Sequence, residues 1–240
     1  LVKDAFSGEE TDLLEGRAPD TVNQAGNVYQ VHALSDTYSP PRINVPEGNP
    51  APSAFASSAH AIAIEYDNSG VPTTPITLDA DIQINSLFNG SHNEGIGLGF
   101  WSAMPSGNGT YPTANFTGLV VRPSDGRTTY LRNGTSQAIF AAPPTGWSAS
   151  AFLNLSYTVD PSTGSITAAS YAGEDISSSF DSVSDFNASN LGGFYSLTDV
   201  SSNYFGRVDN FTIDVVPEPM TMTLLGIGSL ILLNRRQKRR

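Results

Sequence analysis

The sequence of 240 residues contains no cysteine. That excludes thiol nucleophiles, cysteine-ligated zinc and a disulfide scaffold, although a chain of this size can bury a core without covalent staples. Charge is also scarce: Asp, Glu, Lys and Arg make up 15% of the residues, against roughly a quarter in an ordinary soluble domain. Basic residues are the scarcest. Of the twelve Lys and Arg, five (Arg235, Arg236, Lys238, Arg239 and Arg240) fall in the last six positions. Before Pro217, seven cations stand against twenty-two carboxylates, a net charge of −15 where the whole chain carries −11. A body so acidic has no basic stripe to neutralise phosphates, so nucleic acid is excluded as a partner. Helical periodicity is missing too, since no ten-residue stretch before residue 220 repeats its apolar residues every three to four positions.

What is present is alternation. Hydrophobic residues make up 39% of the chain, enough for a core, and Ser, Thr, Asn and Gly supply a surface wetted by hydroxyls and amides. From about residue 28 to 215 the apolar residues recur with period two. Ile76, Leu78, Ala80, Ile82 and Ile84 share one face of a strand, and Thr77, Asp79, Asp81, Gln83 and Asn85 the other. Leu153, Leu155, Tyr157 and Val159 point inward from a second strand, with Asn154, Ser156, Thr158 and Asp160 outward. The turn Asp160-Pro161-Ser162-Thr163-Gly164-Ser165 folds it onto a return strand over 166–173, and Ser124, Asp125 and Gly126 turn another hairpin. Further strands are predicted in 28–34, 60–67, 95–101 and 207–215, and the five prolines of 39–53 predict a loop. Many antiparallel strands with one wet face predict an all-β, two-sheet antiparallel β-sandwich.

Two short motifs give that sandwich a family likeness. Asp4-x-Phe6-x-Gly8, followed by Leu14-x-Gly16-Arg17-x-Pro19-Asp20, resembles the opening of concanavalin A-like jelly rolls of the laminin G type, and Val208 to Val215 resembles their last strand. The resemblance implies one jelly-roll domain over residues 1–215. Relatives of that type hold a structural Ca²⁺ near their terminal strands. The likeness would place one at Asp209, which shares phase with Phe211, Ile213 and Val215, with Asp4 as a second ligand. Hydrogen bonds from the backbone or from Arg207 are the favoured reading of the same carboxylate, and no cofactor is expected.

The C-terminus has a different character. Pro217 and Pro219 end the last strand, residues 220–234 carry no charge, and residues 235–240 form the basic tip. A helix over 220–234 would be roughly 22 Å long, short of the ~30 Å hydrocarbon core, with its cations held on the cytoplasmic side. Pro217-Glu218-Pro219, the apolar span and the Arg cluster together resemble the PEP-CTERM sorting signal. The resemblance implies a Gram-negative exporter, transient anchoring of 216–240 in the inner membrane, and processing near the motif by an exosortase-type transpeptidase. A plain tail anchor is the competing reading. The chain opens on Leu1 with no cationic-apolar leader, so either a signal peptide has been removed or the chain is a fragment.

Catalytic constellations are sparse. His32, His60 and His92 lack metal-ligand spacing, and no Gly-x-Ser-x-Gly elbow precedes the tail. Jelly-roll glucanases carry Glu-x-Asp-x-x-Glu along a strand; here Glu65 and Asp67 are followed by Gly70 where the third acid belongs. Asp79, Asp81 and Asp160 fall on wet faces. Trp101, Tyr111, Tyr130, Trp147, Tyr195 and Tyr204 are available as sugar-stacking rings, but core packing is the expected role of most. Seven Asn-x-Ser/Thr sequons, at Asn89, Asn108, Asn115, Asn133, Asn154, Asn187 and Asn210, are expected by chance in so Asn- and Ser/Thr-rich a chain. The expectation is a noncatalytic exported surface or matrix domain that binds polysaccharide or serves structure, with a divergent glycan hydrolase as the rival; the ligand-binding residues are unassigned.

Overall fold

A computed structural model describes residues 2–6, 13–22, 27–33, 42–44, 53–57, 59–66, 73–84, 94–197 and 205–215. The tail at 216–240, together with Asp67, Gly70, His92, Asn89 and Tyr204, lies outside the described residues. Two antiparallel sheets face each other. The nine-stranded sheet contains β1 (Val2–Asp4), β2 (Thr21–Val22), β4 (Arg42–Asn44), β5 (Ser53–Ser57), β7 (Ile76–Ile84), β12 (Leu153–Asp160), β13 (Ser165–Tyr171), β14 (Glu174–Asp175) and β16 (Phe205–Val215). Seven of these follow one another in the order β14-β13-β12-β7-β16-β1-β2, while β5 pairs with both β16 and β4. The seven-stranded sheet runs β11 (Thr135–Ala141), β10 (Thr128–Arg132), β9 (Phe116–Val121), β8 (Gly95–Trp101), β15 (Leu191–Leu197), β6 (Ala59–Glu65), β3 (Gln30–Ala33). Among the described residues the only helical segment is a 3-10 turn at Ser177–Phe180.

The alternation in β7 is complete, with Ile76, Leu78, Ala80, Ile82 and Ile84 buried and the residues between them half-buried. Its partners β12 and β16 repeat the pattern, so three polar stripes lie side by side on the outer face. The interior between the sheets is filled from both sides, by Leu78, Tyr157 and Ile213 from one and Ile62, Leu98, Phe100 and Phe194 from the other.

Two sequence expectations need correcting. The proline-rich segment 39–53 is not all loop, since Arg42–Asn44 pairs with Ser53–Ser57. Asp209 does not share phase with Phe211. A bulge in β16, with Asn210 at φ 51°, sets Asp209 opposite Asp81 but Thr212 opposite Asp79. The extra residue flips the side-chain phase, so Val208 points inward and Asp209 joins the outer polar face.

The opening motif proves to be a clamp on the first strand. Asp4 is buried and forms a salt bridge with Arg17, while its other oxygen accepts from the Phe6 N–H at 2.7 Å. Arg17 also lies over the Phe6 ring, 5.9 Å from its centroid, and reaches Asp20 at 3.4 Å. Asp20 in turn accepts from the Ala5 N–H at 3.1 Å. Phe6 is fully buried edge-on to Phe194. Burial pushes the Asp4 carboxyl above the usual carboxylate value, and the hydrogen bond and charge of Arg17 pull it only part of the way back.

Candidate functional site

The outer faces of the two sheets differ in kind. On the central strands of the seven-stranded sheet the outward residues are mostly apolar and covered. Ala61, Ala63, Trp101, Phe116, Val120, Leu131, Tyr195 and Leu197 form a second buried cluster. Glycine makes the space: a Cβ on Gly97 would lie 2.1 Å from the Tyr195 ring, and Gly99 and Gly118 sit opposite each other beneath Phe116. Phe116 then meets Trp101 and Tyr195 edge-on, with centroids 4.8 and 4.7 Å apart. Residues 102–115 close this face as a strap. Trp101 Nε1 donates to the Pro112 carbonyl at 2.8 Å, and the Thr110 carbonyl lies 2.7 Å from His32 Nε2. His32 is on β3, three strands from β8, so the strap crosses about 14 Å of sheet.

Most of the candidate stacking rings pack in the core, as expected. Trp101, Tyr130 and Tyr195 are fully buried. Trp147 is partly buried on the backbone of Gly126 and donates to the Tyr171 hydroxyl at 3.1 Å. Of the sequence candidates described, Tyr111 alone is well exposed, at the strap's tip. Sequence reasoning missed Phe140, an exposed ring on the edge strand β11 with the Arg127 guanidinium 4.9 Å from its centroid.

The nine-stranded sheet is open and polar. Asp79 and Asp81 of β7 are held by amides from the strands on either side. Asn154 Nδ2 donates to both carboxylates at 3.1 Å, and Asn210 Nδ2 donates to Asp81 at 2.8 Å. Asp209 stands opposite Asp81 and accepts from the Asn210 N–H at 2.8 Å. Its carboxyl is pushed above the usual value, first by burial and further by the charges of Asp81 and Asp4. Towards β14 the face deepens into a depression of about 300 Å³ lined by Ser156, Thr158, Ala168, Ser170, Gly173 and Asp175, among others. Ser177 closes one end, its hydroxyl bonded to Asp175 at 2.6 Å, which holds the Asp175 carboxyl below the usual range. Asp160 lies at the far end of β12, where the Ser162 hydroxyl and N–H hold it low in the same way.

The remaining sequence candidates are placed as follows. Glu65 ends β6 on the other sheet, and its carboxylate accepts from Asn190 at 3.0 Å. His32 and His60 lie on neighbouring strands, but the register sets His32 beside Ala61 on the strap side and His60 beside Ala33, on opposite faces. Among the described residues no group of three or more His, Asp or Glu is placed to hold a metal ion. Asp4, the suggested second Ca²⁺ ligand, is bonded to Arg17 instead. Two of the sequons, Asn154 and Asn210, have structural work as the amides that hold Asp79 and Asp81.

No family model matches this chain, and no curated protein matches it in sequence. Solved structures do. The cellulose-induced protein Cip1 is 11% identical, with a TM-score of 0.52 over 90% of this chain and 98% of its own. The fold is a jelly roll. The carbohydrate recognition domain of Emp47p is 12% identical over 86% of this chain and 94% of its own, with a TM-score of 0.49. Domain 4 of AbnA, an extracellular arabinanase of Geobacillus stearothermophilus, is 14% identical over 89% and 93%, with a TM-score of 0.47. At such identities the jelly-roll likeness concerns backbone architecture alone, and the chemistry has to be argued from the side chains.

Proposed function

We propose that this chain is an exported, noncatalytic jelly-roll domain that binds polysaccharide at a bacterial surface or in the extracellular matrix. The observation that carries the reading is the outer face of the nine-stranded sheet, a surface of hydroxyls, amides and carboxylates that is uncovered among the described residues. Sugars are recognised by such groups, which exchange hydrogen bonds with water for hydrogen bonds with ligand hydroxyls. Mixing the full chain with a panel of α- and β-glucans, galactans and the host's own exopolysaccharide tests it. Retention of at least one glycan without release of reducing ends is expected; no retention of any would remove the reading.

One observation favours a second reading, a divergent glycan hydrolase. Asp81 and Asp209 face each other on adjacent strands, and burial raises the carboxyl of Asp209. Two carboxyls on one face, one of them favoured in its protonated form, are what acid–base cleavage of a glycosidic bond requires. Against it, Asp81 is engaged by two amides, and the pair lies on an open sheet face. Reducing ends released above a heat-killed control, and lost in Asp209→Asn, would favour the hydrolase.

Delivery by the tail belongs to the same proposal. Pro217-Glu218-Pro219, the uncharged 220–234 span and the cations Arg235, Arg236, Lys238, Arg239 and Arg240 are read as an exosortase-type sorting signal. In the native host the surface form should lack residues 235–240 by intact mass, and alanines at 217–219 should leave the protein in the inner membrane. Full-length anchored protein as the sole surface form would favour the plain tail anchor.

A further inference from the structure

We infer that the nine-stranded sheet binds an extended, uncharged polysaccharide segment laid across its strands, rather than a single sugar or an acidic glycan. The inference rests on the glycan-binding reading above and assigns that binding its place and chemical class.

The strand registers line up one polar residue per strand across most of the sheet. Lys3 of β1 faces Thr212 of β16, which faces Asp79 of β7, which faces Ser156 of β12. Ser156 faces Ser170 of β13, which faces Asp175 of β14. All six are exposed or half-buried, and directly opposed residues share a face. The row therefore spans six strands, about 24 Å at the usual interstrand spacing. Parallel rows flank it, Asp209–Asp81–Asn154 on one side and Asp214–Thr77–Thr158 on the other.

The row exists because of the bulge at Asn210. Without the extra residue, a β16 with Asp209 opposite Asp81 would set Phe211 opposite Asp79, and an aromatic ring would interrupt the outer face. With it, Thr212 takes that place and Phe211 turns inward.

A straight row that offers the same kinds of donor and acceptor at each strand suits a polymer that repeats its hydroxyls at regular intervals. Each contact is weak, so affinity must come from engaging several sugars at once. The depression beside Ser156 and Ser170, floored by Ala168, is where the face is deep enough to take the edge of a ring. Charge decides the class. Asp79, Asp81, Asp209, Asp214 and Asp175 stand on this face, and Lys3 and Arg207 are among its cations. A uronate-bearing chain would meet Asp79 and Asp175 in the row and Asp81, Asp209 and Asp214 beside it, whereas a neutral one presents hydroxyls that carboxylates accept from.

The test is affinity electrophoresis of the full chain through gels containing hydroxyethylcellulose, dextran or galactan as neutral probes, and alginate as the acidic one. Neutral oligosaccharides of two and six sugars serve as competitors. Ser156→Val and Ser170→Val remove one hydroxyl each at positions where a β-branched residue suits the strand, and their melting temperatures report folding independently. Retention by a neutral probe is expected, with the six-sugar competitor at least tenfold more effective than the two-sugar one. The double variant Ser156→Val/Ser170→Val should weaken retention by about tenfold or more, while Tyr111→Ala on the opposite sheet leaves it unchanged. Neutral retention that ignores the two serines, or is lost in Tyr111→Ala, would overturn the placement yet leave glycan binding standing. Stronger retention by alginate would overturn the charge assignment, and equal competition by two and six sugars would overturn the extended chain. Failure of the unmodified protein to be retained by any probe or by the host exopolysaccharide would remove the underlying reading as well.

Discussion

Arg17→Ala is expected to lower the free energy of unfolding by about 3–5 kcal/mol, the range for stranding one member of a buried ion pair. Asp4 is buried to within 2% of its accessible area, and it would keep a single hydrogen bond, from Phe6, among those described. The pH dependence identifies the cause. The folded-state pKa of Asp4 lies above the ordinary value of 3.8, so its ionisation opposes folding. Stability is favoured below the unfolded pKa and is lost as pH rises through the folded one. Removing Arg17 takes away a hydrogen bond and a positive charge that both lower this pKa, so the folded value climbs further. The deficit of the variant is therefore greatest at neutral pH and shrinks as pH falls through that raised value. Urea unfolding of both proteins at about pH 7 and about pH 4 measures it. An equal deficit at both would mean that Arg17 contributes packing on Phe6 and not charge. Arg17→Ala combined with Asp4→Asn should recover part of the loss at neutral pH.

Trp101→Ala should cost a similar amount, about 3–5 kcal/mol, because it empties a fully buried indole site. Its distinguishing effect is on the strap. The indole N–H is the bond that fastens Pro112 over the cluster. Trp101→Phe keeps a ring against Phe116 but leaves the Pro112 carbonyl without that donor, at a cost of about 1–3 kcal/mol. Both variants should become more susceptible to cleavage between residues 102 and 115, read by limited proteolysis and mass. Unchanged cleavage there, together with the expected loss of stability, would show that the His32 contact and the β-turns hold the strap by themselves.

The sequence made the outer sheet legible and hid the inner workings of the other. Strands such as β7 and β12 bury one face, and there hydrophobic and polar residues alternate as the pleat demands. Strand β8 is buried on both faces, so Gly95–Trp101 alternates glycine with large apolar residues and not polar with apolar ones. Strand β15, Leu191–Leu197, was missed because two glycines stand where a strand signal would need branched or aromatic residues. Those glycines are there for close packing: a Cβ on Gly193 would lie 2.1 Å from the Ile62 carbonyl oxygen. Burial of Trp101 and Tyr195 could not be read either, because it depends on a strap folding back over the sheet.

The site was half visible. Asp79, Asp81, Asn154 and Ser156 were correctly assigned to wet faces from phase alone. Which of them stand opposite which depends on register, and one bulge was enough to reverse the reading of Asp209. No periodicity in β16 announces that bulge; Asn, a residue that tolerates positive φ, was its one local sign.

The pairing of β1 with β16 also governs when the domain can fold. Val2 meets Ile213, and β16 is the partner of β5 and β7 as well as β1. A chain emerging from the ribosome therefore lacks the central member of its larger sheet until nearly all of the domain has been made. Contacts so distant in sequence raise the loop-closure cost of the transition state, and such topologies fold slowly. The delay leaves a nascent chain with an incomplete larger sheet until its first strand finds its last.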